Sequence, residues 1–195
     1  SPWLVKSIEV EGKTLLALKK PQILINEFSS HKTSKKDFAY EDTHAYGNDK
    51  YIYKKTRERI LYYMGLAYDS LNDKNKAGYY LSEVIGHYSS AYTQKAIQKL
   101  KKLNPKFQQF LNSNQKLKLA NFYFQKNPKQ HYRSIISLLT SITNLNPATQ
   151  NKKLLLLGKT YYRVNKNKES EKAYEDILSN ANENSKSYQM TEYLK

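Results

Sequence analysis

The chain has 195 residues, enough for a domain with a sizeable core, and no cysteine, which excludes disulfides, thiol nucleophiles and sulfur metal sites. Its formal net charge is +16, from 33 Lys and Arg against 17 Asp and Glu, and 18 of its residues are Tyr. No apolar run approaches the roughly 18 residues that a membrane-spanning helix needs.

In chain order, Val5, Ile8 and Val10 precede Glu11–Gly12–Lys13, and Leu15, Leu16 and Leu18 follow it. That pattern admits a short β-hairpin turning at Gly12 or an extra helix, because periodicity alone fits both. Pro21 opens a helix carrying Ile23, Leu24, Ile25 and Phe28. From Ser29 to Asp49 the chain is polar and reads as a loop or linker. Residues 1–50 are therefore expected to form an N-terminal arm or capping segment, and residues 51–195 a helical domain. The chain begins Ser1–Pro2–Trp3 and ends in the helical-looking stretch Gln189–Lys195, as expected of a trimmed or processed chain.

The helical part repeats itself. Leu61–x–x–Met64–Gly65–x–x–Tyr68 is followed by Ala77–x–x–x–Leu81–x–x–Val84. Leu154–x–x–Leu157–Gly158–x–x–Tyr161 is followed, at the same spacing, by Ser170–x–x–x–Tyr174–x–x–Ile177. Two copies in one register indicate helical hairpins. Gly65 and Gly158 let a second helix approach the first, Ala77 and Ser170 do the same from the facing side, and the larger residues fill the space between. A more degenerate middle copy has Leu119–Ala120 and Tyr123, then Ile135, Leu139 and Ile142. It requires about three extra residues around Asn127–Pro128–Lys129–Gln130, which loop insertions tolerate. Lys116 stands where a large residue is usual. The repeats are expected at about 58–91, 113–149 and 151–184.

These residues resemble the tetratricopeptide repeat, a helix–turn–helix unit of 34 residues. The resemblance implies an all-α fold of stacked antiparallel hairpins, a TPR-like α-solenoid. Val84–Tyr92, followed by Ala96–Ile97 and Leu100–Leu103, further resembles repeats of bacterial outer-membrane assembly lipoproteins and of the periplasmic Tol–Pal coordinator. That likeness implies a periplasmic or outer-membrane-associated setting, with a cytoplasmic adaptor as the alternative. In such arrays the first helix of each hairpin lines a concave groove. The matching positions here are Arg59, Tyr62, Leu66, Asp69 and Ser70, then Asn114, Leu117, Asn121, Phe124 and Gln125, then Lys152, Leu155, Lys159, Tyr162 and Arg163. Tyr62, Phe124 and Tyr162 would form an aromatic track among basic residues, the types that anchor interfaces. Coverage by the arm or by neighbouring helices is the competing expectation.

The tyrosines at helical spacing (Tyr62, Tyr63, Tyr68, Tyr79, Tyr80, Tyr161 and Tyr162) are expected chiefly in the core. The basic excess invites a polyanion reading, but Arg57, Arg59, Arg133 and Arg163 are the only arginines, and Arg rather than Lys reads phosphates bidentately. Lysines are spread along the chain, often beside Asn, a usage that AT-rich coding also favours. His31, His44, His87 and His131 stand apart as surface residues, and Glu58, Glu83, Glu169, Glu171 and Glu175 read as helix-surface charge. No metal, cofactor or catalytic constellation is expected. The functional expectation is a non-catalytic scaffold of the cell envelope that binds another protein. A Lys-rich module for anionic lipid, cell-wall polymer or nucleic acid is the alternative.

Overall fold

The computed structural model describes residues 2–30, 48–86, 90–143 and 145–180, and within them the chain is all-α. Two compact units emerge, Ser1–Phe110 and Leu111–Lys195. The boundary expected near residue 50 falls next to residues 31–47, which lie outside the described ones.

In the first unit, α1 (Pro2–Ala17) and α2 (Pro21–Ser30) pack on α3 (Asn48–Ser70), which pairs with α4 (Lys74–Ile85); α5 (Ser90–Leu103) follows, then a 3-10 turn at Phe107–Phe110. The arm is thus helical on both sides of Gly12, and the hairpin alternative does not form. Val5 and Ile8 are buried, and Gly12, one turn beyond Ile8, seats the Tyr63 ring of α3. A Cβ on Gly12 would lie 2.5 Å from Tyr63 Cγ, so the glycine serves packing and not a turn. Leu24, Ile25 and Phe28 of α2 are buried while Ile23 is exposed. Full burial of a Leu or Phe of this kind contributes about 1.5–3 kcal/mol. Helices α1, α2, α4 and α5 all touch α3, which explains why Glu58 is buried rather than on the helix surface as its sequence context suggests.

The second unit holds α6 (Ser113–Lys126), α7 (Pro128–Thr140), α8 (Pro147–Arg163) and α9 (Asn167–Asn180), each packed on the next. The signature residues sit where their chemistry requires. In the pair α3/α4, a Cβ on Gly65 would meet Leu81 Cγ at 2.6 Å and the Ala77 carbonyl oxygen at 3.4 Å. In α8/α9, a Cβ on Gly158 would meet the Tyr174 ring at 2.5 Å, and the Ser170 hydroxyl donates to the Gly158 carbonyl at 3.0 Å.

Both turns also close alike. Asn72 and Asn165 adopt φ 59°, and the next N–H reaches back to the Tyr68 and Tyr161 carbonyls at 2.9 and 3.0 Å. This is a Schellman-type end, for which Asn is the usual substitute for Gly. In the pair α6/α7, by contrast, Asn127 alone links the helices, ending α6 and capping α7 through its side chain, which accepts from Gln130 N at 3.1 Å. The three extra residues expected in this turn are absorbed into the start of α7, where Pro128 holds the first helical position without needing a partner for a missing N–H. Asn112 and Asn146 cap α6 and α8 in the same way, each cap worth about 1 kcal/mol.

Gly78 provides a contrast within α4, because a Cβ there would meet nothing within 4 Å. Gly65→Ala should destabilise the protein by about 1–3 kcal/mol through overpacking against buried Leu81, whereas Gly78→Ala should stabilise it by about 0.5–1 kcal/mol through helix propensity. Urea unfolding of the two variants checks the opposite signs.

Candidate functional site

The expected groove positions have different fates in the two units. In the first, they are consumed by internal contacts. Arg59 Nε pairs with Glu9 Oε2 of α1 at 3.3 Å, its Nη1 donates to the Lys55 carbonyl at 3.0 Å, and its guanidinium lies 4.8 Å from the Tyr92 ring centroid on α5. Tyr62 is half-buried, edge-on to Tyr63 at 5.5 Å and to Tyr92 at 5.2 Å. Burial pushes the phenols of Tyr62, Tyr63 and Tyr92 up. Asp69 pairs with Lys99 of α5 at 2.6 Å, Leu66 is half-buried, and the Ser70 hydroxyl donates back to the Leu66 carbonyl. Helices α1 and α5 therefore occupy this face of α3.

In the second unit five of the ten equivalent positions are exposed. Leu117, Asn121 and Phe124 on α6 and Leu155 and Lys159 on α8 are half-buried, while Asn114, Gln125, Lys152 and Arg163 are exposed. Tyr162 is 64% exposed. Helices α6 and α8 touch within this unit. Among the tyrosines expected in the core, Tyr63 is buried, Tyr68, Tyr80 and Tyr161 are half-buried, and Tyr79 joins Tyr162 at the surface.

Lys116 finds its explanation here: its ammonium donates to the Ser141 carbonyl at 3.3 Å, and Lys153 donates to the Ile142 carbonyl at 3.0 Å. Two cations thus satisfy carbonyls beyond the end of α7, where the helix dipole favours positive charge. His131 stacks on Tyr123 with centroids 4.9 Å apart, whereas His31, His44 and His87 lie outside the described residues.

A separate cavity of ≈ 480 Å³ opens between α4 and α5. Leu100, Leu103, Phe107 and Gly78 give it an apolar lining, with Lys74, Asn75, Tyr79, Ser82 and Asn104 also around it. The vacant space beside Gly78 opens onto it. Sequence reading missed this feature, since Gly78 sits in the copy beside the signature Ala77 and carries no motif of its own. No group of three or more His, Cys, Asp or Glu side chains among the described residues is arranged to hold a metal ion. Among the same residues, no helix is long and apolar enough to cross a membrane.

A second missed signal is the placement of acids rather than of lysines. Between Glu83 and Glu169 the chain has no Asp or Glu, while sixteen of its 33 Lys and Arg fall there. That equals the entire excess of +16, so the remaining residues balance at 17 cations to 17 acids. Within that run, the Tyr132 phenol is held below its ordinary value by the Arg133 Nε–H donating to it at 3.1 Å and by the charges of Arg133 and Lys166.

No family model, no curated protein and no solved structure matches the chain.

The Glu9–Arg59 contact has a pH signature. Hydrogen bonds from Lys13 first, then Arg59, outweigh desolvation and hold the Glu9 carboxyl below its ordinary range. A carboxylate with a lowered folded pKa contributes stability above its unfolded value of roughly 4.3 and loses it as pH falls through the folded value. Glu9→Gln should therefore lower the urea midpoint near neutral pH and leave it close to wild type at about pH 3. Equal shifts at both pH values would show that ionised Glu9 does not anchor α1.

Proposed function

We propose that the chain is a non-catalytic interaction scaffold built of tetratricopeptide-like hairpins, with the α6/α8 face of its second unit as the docking surface for a protein partner. The observation that carries this reading is the contrast between equivalent positions. Arg59, Tyr62 and Asp69 are taken up by α1 and α5, whereas Tyr162 and Arg163 are exposed on the helix that carries the half-buried Leu155. An exposed aromatic and Arg over an apolar floor is the composition of an interface anchor. The repeat reading is supported by the shared spacing, the glycine seats and the matching Asn turns. The cell-envelope setting rests only on the resemblance around Val84–Leu103, of which residues 87–89 lie outside the described ones.

A polyanion-binding module is the second reading, favoured by the carboxylate-free run from Val84 to Lys168. Steeply salt-dependent binding would distinguish it from an apolar docking face.

With the full chain as bait, Tyr162→Ala combined with Arg163→Ala should weaken capture of a defined partner at least about tenfold without moving the thermal midpoint. Tyr79→Ala, equally exposed but on the α4/α5 cavity, should leave capture intact. Loss through Tyr79→Ala alone would transfer the site to that cavity. Tyr62→Ala should instead lower stability by about 2–4 kcal/mol, because its ring packs on Tyr63 and Tyr92.

A further inference from the structure

We infer that the α6/α8 face takes an acidic, amphipathic protein segment. The inference rests on the interaction reading above and adds the partner's chemistry. Along α8, Lys152, Leu155, Lys159, Tyr162 and Arg163 fall at relative positions 0, 3, 7, 10 and 11, one face of a helix. Helix α9 packs on the adjoining side at Gly158, and Lys152, Lys159 and Arg163 lie roughly 100° or more around the helix from that seat. Cations and apolar groups alternate along it, and Lys152 and Lys159 stand about 10 Å apart, two helical turns. A segment with carboxylates two turns apart and apolar residues between them matches that spacing.

The run from Leu111 to Lys168 contains no Asp or Glu, and the acids of the unit begin at Glu169 on α9. Three other cations of the unit are already engaged: Lys116 and Lys153 hold carbonyls beyond the end of α7, and Lys166 pairs with Glu169 at 3.4 Å. Among the described residues, Lys152, Lys159 and Arg163 have no ion-pair or hydrogen-bond partner for their side chains. Uncompensated cations cost self-repulsion, which an acidic partner relieves. Leu155 and Phe124 are half-buried apolar groups of the kind that the apolar residues of an amphipathic segment would meet. One Arg among Lys residues is also a poor set for phosphate recognition.

Fluorescence anisotropy on the full chain tests this with four probes. They are a short helical Glu/Leu peptide, its Gln-for-Glu counterpart, an oligothymidylate, and vesicles of phosphatidylcholine with phosphatidylglycerol. The acidic peptide should bind, and Lys152→Gln/Lys159→Gln/Arg163→Gln should weaken it about tenfold or more. Lys101→Gln/Lys102→Gln/Lys106→Gln removes the same charge from the first unit and should change affinity little. Equal losses in the two triples would overturn the site. Equal affinity for the Gln peptide, lost with Tyr162→Ala, would overturn the acidic partner while leaving the interaction reading standing. Tighter binding of oligothymidylate or vesicles with the same dependence would replace the proposal by a polyphosphate surface. Binding of neither peptide would overturn both readings.

Discussion

Two helices joined by a short turn can close only as far as their bulkiest facing side chains allow. In this chain that limit is removed at single positions, and a large side chain from the partner helix fills the space. Gly65 receives Leu81, Gly158 receives Tyr174 and Gly12 receives Tyr63. Each seat turns a helix contact into a fixed register, since a knob that fits at one residue fits nowhere else on the helix. The remaining core follows from these seats: Met64, Leu81 and Val84 in the first unit, and Leu157, Ala173 and Ile177 in the second, are buried around them.

The same closure decides what is left at the surface. Positions 61, 64, 65 and 68 turn toward α4, so the adjoining face of α3 is free to be covered, and α1 and α5 cover it. In the second unit the corresponding face of α8 keeps Tyr162 and Arg163 exposed. Ion pairs follow the same pattern: Glu9 and Asp69 hold Arg59 and Lys99 at this face of the first unit, whereas Lys152, Lys159 and Arg163 all precede the first acid of the second unit, Glu169.

The hairpins were legible in the sequence because glycine, small residues and turn asparagines have strict geometric uses that recur at fixed spacing. Residues 1–30 were less so: Val5, Ile8 and Gly12 form a helical stripe whose glycine reads as a turn until Tyr63 is seen resting on it. The middle hairpin misled for a related reason. Asn127–Pro128 resembles a loop, yet it is an N-cap followed by the first helical residue. The asparagines that suggested compositional drift prove to be structural at Asn72, Asn112, Asn127, Asn146 and Asn165, as helix caps or left-handed turn residues. Groove positions could be numbered from the repeat, but their exposure depended on Glu9, Tyr92 and Lys99, distant residues that no local pattern connects to Arg59, Tyr62 and Asp69. The burial of Glu58 was hidden likewise, because it reflects four helices converging on α3.

Glycine-seated closure is tested most directly by nuclear Overhauser contacts in the folded protein. Strong cross-peaks are expected between Gly65 Hα and the Leu81 methyls, and between Gly158 Hα and the Tyr174 ring protons. Their absence from either hairpin, in a sample whose other α3/α4 and α8/α9 contacts are assigned, would contradict it.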